Sequence, residues 1–167
     1  FVARMHHAHG EDPSIAAPTP EDVDAALLEA CEGRASLAEL EDANVLEVLR
    51  ARSGVRADAL ERLAPDRVRL ASGRETRVSY ELGKPPFIES FLQDFCGMRE
   101  TPRAGRTPIV AHMLAPNRRA VQITTDVPGF FERHYAAIRK ELMRKYPRHP
   151  WPQDTSVAVP AKPPRRR

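Results

Sequence analysis

Residues 109–126, Ile109-Val110-Ala111-His112-Met113-Leu114-Ala115-Pro116-Asn117-Arg118-Arg119-Ala120-Val121-Gln122-Ile123-Thr124-Thr125-Asp126, hold two apolar-rich runs on either side of a short polar break. Proline at 116 and asparagine at 117 supply turn chemistry between the runs, so the stretch predicts a β-hairpin. Thr125 or Asp126 then caps a helix over about Val127 to Tyr146, because a short polar side chain there can accept from the first free amides. Val127, Phe131, Tyr135, Ile138, Leu142 and Tyr146 fall on one stripe of that helix. At 100° per residue Arg133, Lys140 and Arg144 project within about 40° of one another on the opposite side. One side packs and the other is cationic.

The same order occurs upstream. Arg67-Val68-Arg69-Leu70 and Arg77-Val78-Ser79-Tyr80 alternate polar with apolar residues around Ser72-Gly73-Arg74, a second hairpin. After Pro85-Pro86, the spacing of Phe87, Ile88, Phe91, Leu92 and Phe95 predicts a helix buried on one face and ended by Gly97. Strand, strand, helix is thus repeated without a residue-level repeat. The expected fold class is α+β, with two β-hairpin–helix units packed as one domain over residues 65–154.

An acidic helical segment over 20–64 precedes it. Thr19 caps a helix that Gly33 stops, with Pro20 at its first turn and Val23, Ala26, Leu27 and Ala30 on its apolar stripe. Ser36, with Glu39 at the capping-box position, opens a second with Leu37, Leu40, Val45, Leu46 and Leu49. A third covers Ala57 to Leu63. Residues 1–19, rich in proline and small residues, predict an irregular lead-in, and residues 155–167, ending Arg165-Arg166-Arg167, a disordered basic tail.

Charge divides along the same line. Glu11 to Arg50 holds eleven acidic residues against two arginines, whereas Ala51 onward holds twenty-three Lys and Arg against twelve acids. A basic half suits a polyanion and an acidic half suits protein, although segregated solvated surfaces would give the same count. Arginine outnumbers lysine, and its planar fork matches phosphate.

Other classes are excluded by what is missing. No stretch has the roughly 18 apolar residues of a membrane helix, and none has the form of a signal peptide. Cys31 and Cys96 match neither zinc nor redox spacing, which suits a reduced, cytoplasmic setting. His6, His7 and His9 lack ligand partners at spacing, and read as a surface loop rather than a metal site. A P-loop fails twice at Gly83-Lys84: Pro85 follows the lysine, and Val78 stands where the leading glycine belongs. Cys96 with His112 reads as packing, not as a nucleophile and base.

From Leu114 to Asp126, then Gly129-Phe130-Phe131, Arg139-Lys140-Glu141-Leu142 and Arg144-Lys145-Tyr146-Pro147-Arg148-His149-Pro150-Trp151-Pro152, the chain resembles the C-terminal region of bacterial HrpB-type DEAH-box ATP-dependent helicases. The likeness is strong from about Arg67 to Asp154 and looser over Leu27 to Leu63. It departs at Phe131, where the family commonly has tryptophan. The resemblance implies a parent RNA helicase whose motor domains, with their ATP and magnesium, lie upstream; it assigns this region no catalytic residue. The opening Phe1-Val2-Ala3-Arg4-Met5 is what a piece of a longer polypeptide would show.

On the charge argument, Arg133, Lys140, Arg144, Lys145 and Arg148 are the expected contacts to RNA or other single-stranded nucleic acid, with Arg74, Arg118 and Arg119 at hairpin tips. Tyr146, His149 and Trp151 either stack bases or clasp the chain back over the preceding helix. The expected function is an accessory domain that contacts nucleic acid and packs on the motor. The alternative is a structural or protein-interaction module, and a free-standing basic adaptor is a third reading.

Overall fold

Capping and proline placement set the first four helices. Thr19 accepts from the Asp22 amide while the Asp22 carboxylate accepts from the Thr19 amide, a reciprocal cap with Pro20 in the first helical position. The computed structural model describes residues 1–33, 39 and 44–160, and divides the chain into two units at Ala64 and Pro65.

The first unit comprises α1 (Val2–Glu11), α2 (Pro20–Cys31), α3 (Val45–Ser53) and α4 (Ala57–Leu63). Asn44 caps α3 by accepting from the Glu47 amide. Ser36, Leu37 and Leu40, expected in an earlier turn of that helix, lie outside the described residues. The irregular lead-in expected over 1–19 is corrected, because α1 occupies half of it. Prolines 13, 18 and 20 all follow Glu11, so they end the helix rather than prevent it, and Met5 and Ala8, three residues apart, are fully buried. The histidines are on this helix rather than a loop: His6 and His9 bond the Pro18 and Ile15 carbonyls, holding the following turn against it.

In the second unit, β1 (Arg67–Arg69), β2 (Glu75–Ser79), β3 (Phe87–Phe91), β6 (Val110–Leu114) and β7 (Ala120–Thr124) form one sheet in the order β1-β2-β3-β6-β7. β3 and β6 run parallel and the other neighbours antiparallel. A parallel pair needs a crossover. It is supplied by a 3-10 turn (Leu92–Phe95) and a small ribbon of β4 (Arg103–Ala104) and β5 (Thr107–Pro108). The chain ends in α5 (Val127–Arg133) and α6 (Tyr135–Lys145). Val78, Ile88, Ala111 and Met113 from one face of the sheet share a single core with Phe95, Phe130, Tyr135, Leu142 and Trp151.

Three local expectations change here, within the α+β class. Residues 87–95 form a central strand and a 3-10 turn instead of a helix. Ile88 and Ser90 point inward by strand alternation and Leu92 and Phe95 by the turn, which imitates helical spacing. The long C-terminal helix is broken at His134, where the next amide-to-carbonyl bond, Ile138 to His134, stretches to 3.4 Å. Residues 155–160 are ordered against the domain: the Gly97 amide donates to the Thr155 carbonyl at 2.9 Å, and Val159 packs on the core. Residues 161–167 lie outside the described residues.

Candidate nucleic-acid interface

Three prolines between Tyr146 and Pro152 remove amides, so the segment offers carbonyls to its neighbours. Gln93 Nε2 donates to the Pro150 carbonyl at 3.0 Å, Arg139 Nε to Trp151 at 2.8 Å and the Tyr135 hydroxyl to Pro152 at 2.9 Å. Trp151 is 7% exposed, and its Nε1 donates back to the Tyr146 carbonyl at 2.9 Å. Burial pushes the Tyr135 hydroxyl up to about 12, so it remains a donor across the working pH range. This is the clasp geometry. The indole face is packed away from bases, Tyr146 is half-buried, and only His149 of the three is exposed.

The expected cations fall into separate groups. Lys140, Arg144 and Arg148 are exposed and form no ion pair among the described residues, and Lys145 Nζ lies 5.7 Å from the centre of the Tyr146 ring. Arg133 is committed locally: it meets the Asp126 carboxylate at 2.6 Å across the bare Cα of Gly129. The Arg133 hydrogen bond, with the Gly129 amide second, holds the Asp126 carboxyl below its usual range. Arg74 pairs at 2.9 Å with Asp94, which is 4% exposed and also accepts from Ser90 Oγ at 2.6 Å.

The hairpin tips do not converge on one place. Arg119 shares a groove with Lys145 and Glu141 between the β6–β7 turn and α6. Arg74 and Arg118, from different hairpins, line a groove of about 350 Å³ on the other side of the sheet, with Arg77, Phe91 and Leu114. Arg118 holds the left-handed conformation at φ 63°, which throws its side chain off the turn. Arg77, Phe87, Phe91 and His112 are not among the contacts expected from the sequence. Once 87–91 is a strand, the alternation Phe87-x-Glu89-x-Phe91 places all three on its outer face.

Burial, then the nearby Asp94, pushes the Cys96 thiol up to about 12, leaving it protonated. Lys84 sits on the β2–β3 loop bonded to Glu81 at 2.6 Å.

The family model for the HrpB ATP-dependent helicase C-terminal region matches residues 26–155. The ATP-dependent RNA helicase HrpB of Escherichia coli (strain K12) is 30% identical over 100 residues, which are 59% of this chain and 12% of that protein. The crystal structure of the E. coli DExH-box NTPase HrpB superposes with a TM-score of 0.80 at 25% identity, covering 95% of this chain and 21% of that one. A second, of the Escherichia coli DEAH/RHA helicase HrpB, gives 0.65 at 25% identity, covering 90% and 20%. The chain therefore spans only a small part of the relatives it matches.

Proposed function

The chain belongs to the HrpB-type ATP-dependent helicase C-terminal family, and from that premise we propose that it contacts single-stranded RNA on behalf of a motor to which its acidic helical unit docks. ATP and magnesium would then be handled by the motor domains, and this region would supply grip and orientation.

One observation carries this reading, the excess of exposed, unpaired cations among the described residues of the second unit. In Phe1–Ala64, Arg4, Arg52 and Arg56 are tied to carboxylates of the same unit, while Arg50 lies over the Phe1 ring and Arg62 is exposed. In the second unit Lys140, Arg144, Arg148, Arg77 and Arg118 stand exposed without ion pairs among the described residues. From residue 65 onward Lys and Arg outnumber acids by twenty to ten. Unpaired surface cations in excess release counterions from a phosphate chain, the main sequence-independent source of affinity.

Titrating the chain with fluorescein-labelled single-stranded RNA across a salt series tests it. Affinity should fall steeply as salt rises, and absence of binding at low salt would overturn it. A second reading, a protein-docking module, draws on the exposed Leu27, Leu28 and Leu46 of the acidic unit. Leu27→Glu with Leu28→Glu separates the two: motor association lost with RNA binding intact supports the first, and association lost from a chain that binds no RNA in either form supports the second.

A further inference from the structure

Both neighbours of β3 present the same outer face, and its rows can be read from the register. Ser79 pairs with Phe87, Phe87 with Val110, Glu89 with His112, Phe91 with Leu114 and His112 with Ile123. One step from the Val78–Ile88 pair, Arg77 lies beside Glu89. The face therefore carries Phe87, Phe91, His112, Val110, Leu114 and Ile123 in its centre, with arginines towards one edge.

Two properties set it apart from an ordinary solvated sheet face. Phe87 and His112 are stacked on one another, ring centres 5.0 Å apart and planes 18° apart, so each covers one face of the other and leaves its outer face for a further stacked ring. Ile123 is 55% exposed, and Phe87, Phe91, Val110 and Leu114 are partly buried, with Val159 and Pro160 of the C-terminal segment bordering the groove beside Phe91. Arg77 and Arg118 stand at the margin of the groove beside Phe91, exposed and without an ion pair among the described residues. Arg74 forms a third wall, fixed in place by the buried Asp94.

We propose that this sheet face, from the Phe87–His112 stack to the groove between Arg77 and Arg118, is the seat of single-stranded RNA, bases lying on the rings and phosphates along the arginines. The proposal rests on the RNA-contact reading and names its surface: the open sheet, not the α6 helix. The outer face of a stacked aromatic pair suits any base, because every base has a π-face, and cations at the margin meet the backbone that splays from a stacked base. A duplex keeps its bases stacked inside and offers only phosphate to the same surface.

Glu75 and Glu89 share the groove and argue against a simple phosphate-coating patch. Carboxylates there repel a backbone lying flat on the sheet and accept hydrogen bonds from exocyclic amino groups of bases turned inward, although Glu89 Oε1 also lies 3.5 Å from His112 Nδ1. The mixed lining thus selects an unpaired strand with its bases turned to the protein.

The test uses the whole chain, a fluorescein-labelled mixed-sequence 12-nucleotide RNA and its duplex form, by anisotropy across a salt series. Phe87→Leu keeps apolar bulk and removes the ring; it is expected to weaken single-strand binding by about tenfold with little effect on the salt slope. Arg77→Gln, fully on the surface, is expected to weaken binding and flatten the salt slope by about one unit. Lys140→Gln with Arg144→Gln should change affinity less than either. If the parent binds but Phe87→Leu and Arg77→Gln match it, the sheet site is wrong and the RNA reading stands. Equal affinity for duplex and single strand would also overturn the sheet site. A parent that binds no RNA at low salt overturns both.

Discussion

Trp151 fills its place in the core and also donates a hydrogen bond to the Tyr146 carbonyl, so two substitutions separate the roles. Trp151→Ala should cost about 3 kcal/mol through the cavity it leaves, and Trp151→Phe about 1 kcal/mol more than the packing change alone, for the lost indole donor; urea unfolding measures both. The two thiols should differ as sharply. Cys31 is exposed and Cys96 buried, so a thiol reagent near pH 8 should titrate one group in the native chain and both in denaturant. Asp126 gives a pH signature. Its folded value lies below the ordinary 3.8, so the stabilisation is complete above that value and is lost as pH falls through the lower one. Gly129→Ala puts a methyl group where Asp126 and Arg133 meet. The variant should melt lower at neutral pH and lose less stability on acidification, a difference thermal melts over about pH 5 to about pH 2 would show.

Among the elements, the tail over 155–160 is the one whose docking depends on a single Cα. At Gly97 φ is +88°, and a Cβ would come within 2.7 Å of the Ala158 backbone amide. Gly97→Ala should release residues 155–160, seen as new protease cleavage there with the sheet still protected. That contact could not be read from the residues, because a proline- and valine-containing tail gives no period and its partner is sixty residues away. The hairpins could be read, since alternation and turn chemistry are local; observed β1, β2, β6 and β7 begin and end near where alternation does. The middle strand could not. Phe87 to Phe95 satisfies helical spacing by chance of a strand running into a 3-10 turn, and only pairing with β2 and β6, set by residues far off in sequence, decides against the helix. Misreading that strand hid the outer face, and with it Phe87, Phe91, His112 and Arg77. The cationic side of α6 was visible from the sequence because helical angles follow from number alone, and Arg133 dropped out of it through Asp126, a partner seven residues earlier.

For the molecule as a whole, opposite charge on the two units predicts opposite responses to salt. RNA binding should weaken with a log–log slope of several units, whereas association through the exposed leucines of the acidic unit should persist; measuring both in one salt series checks the division of labour. The clasp has a mechanical meaning as well. A chain pulled from the end of a bare helix peels turn by turn, one hydrogen bond at a time. Here the strand leaving α6 doubles back, and the carbonyls of Pro150, Trp151 and Pro152 are gripped by Gln93, Arg139 and Tyr135 from two different elements. Tension on the C-terminal end is therefore shared by these bonds and by the Gly97–Thr155 contact before it reaches the last turn of α6. A load arriving from that end meets a buckle, not a zipper.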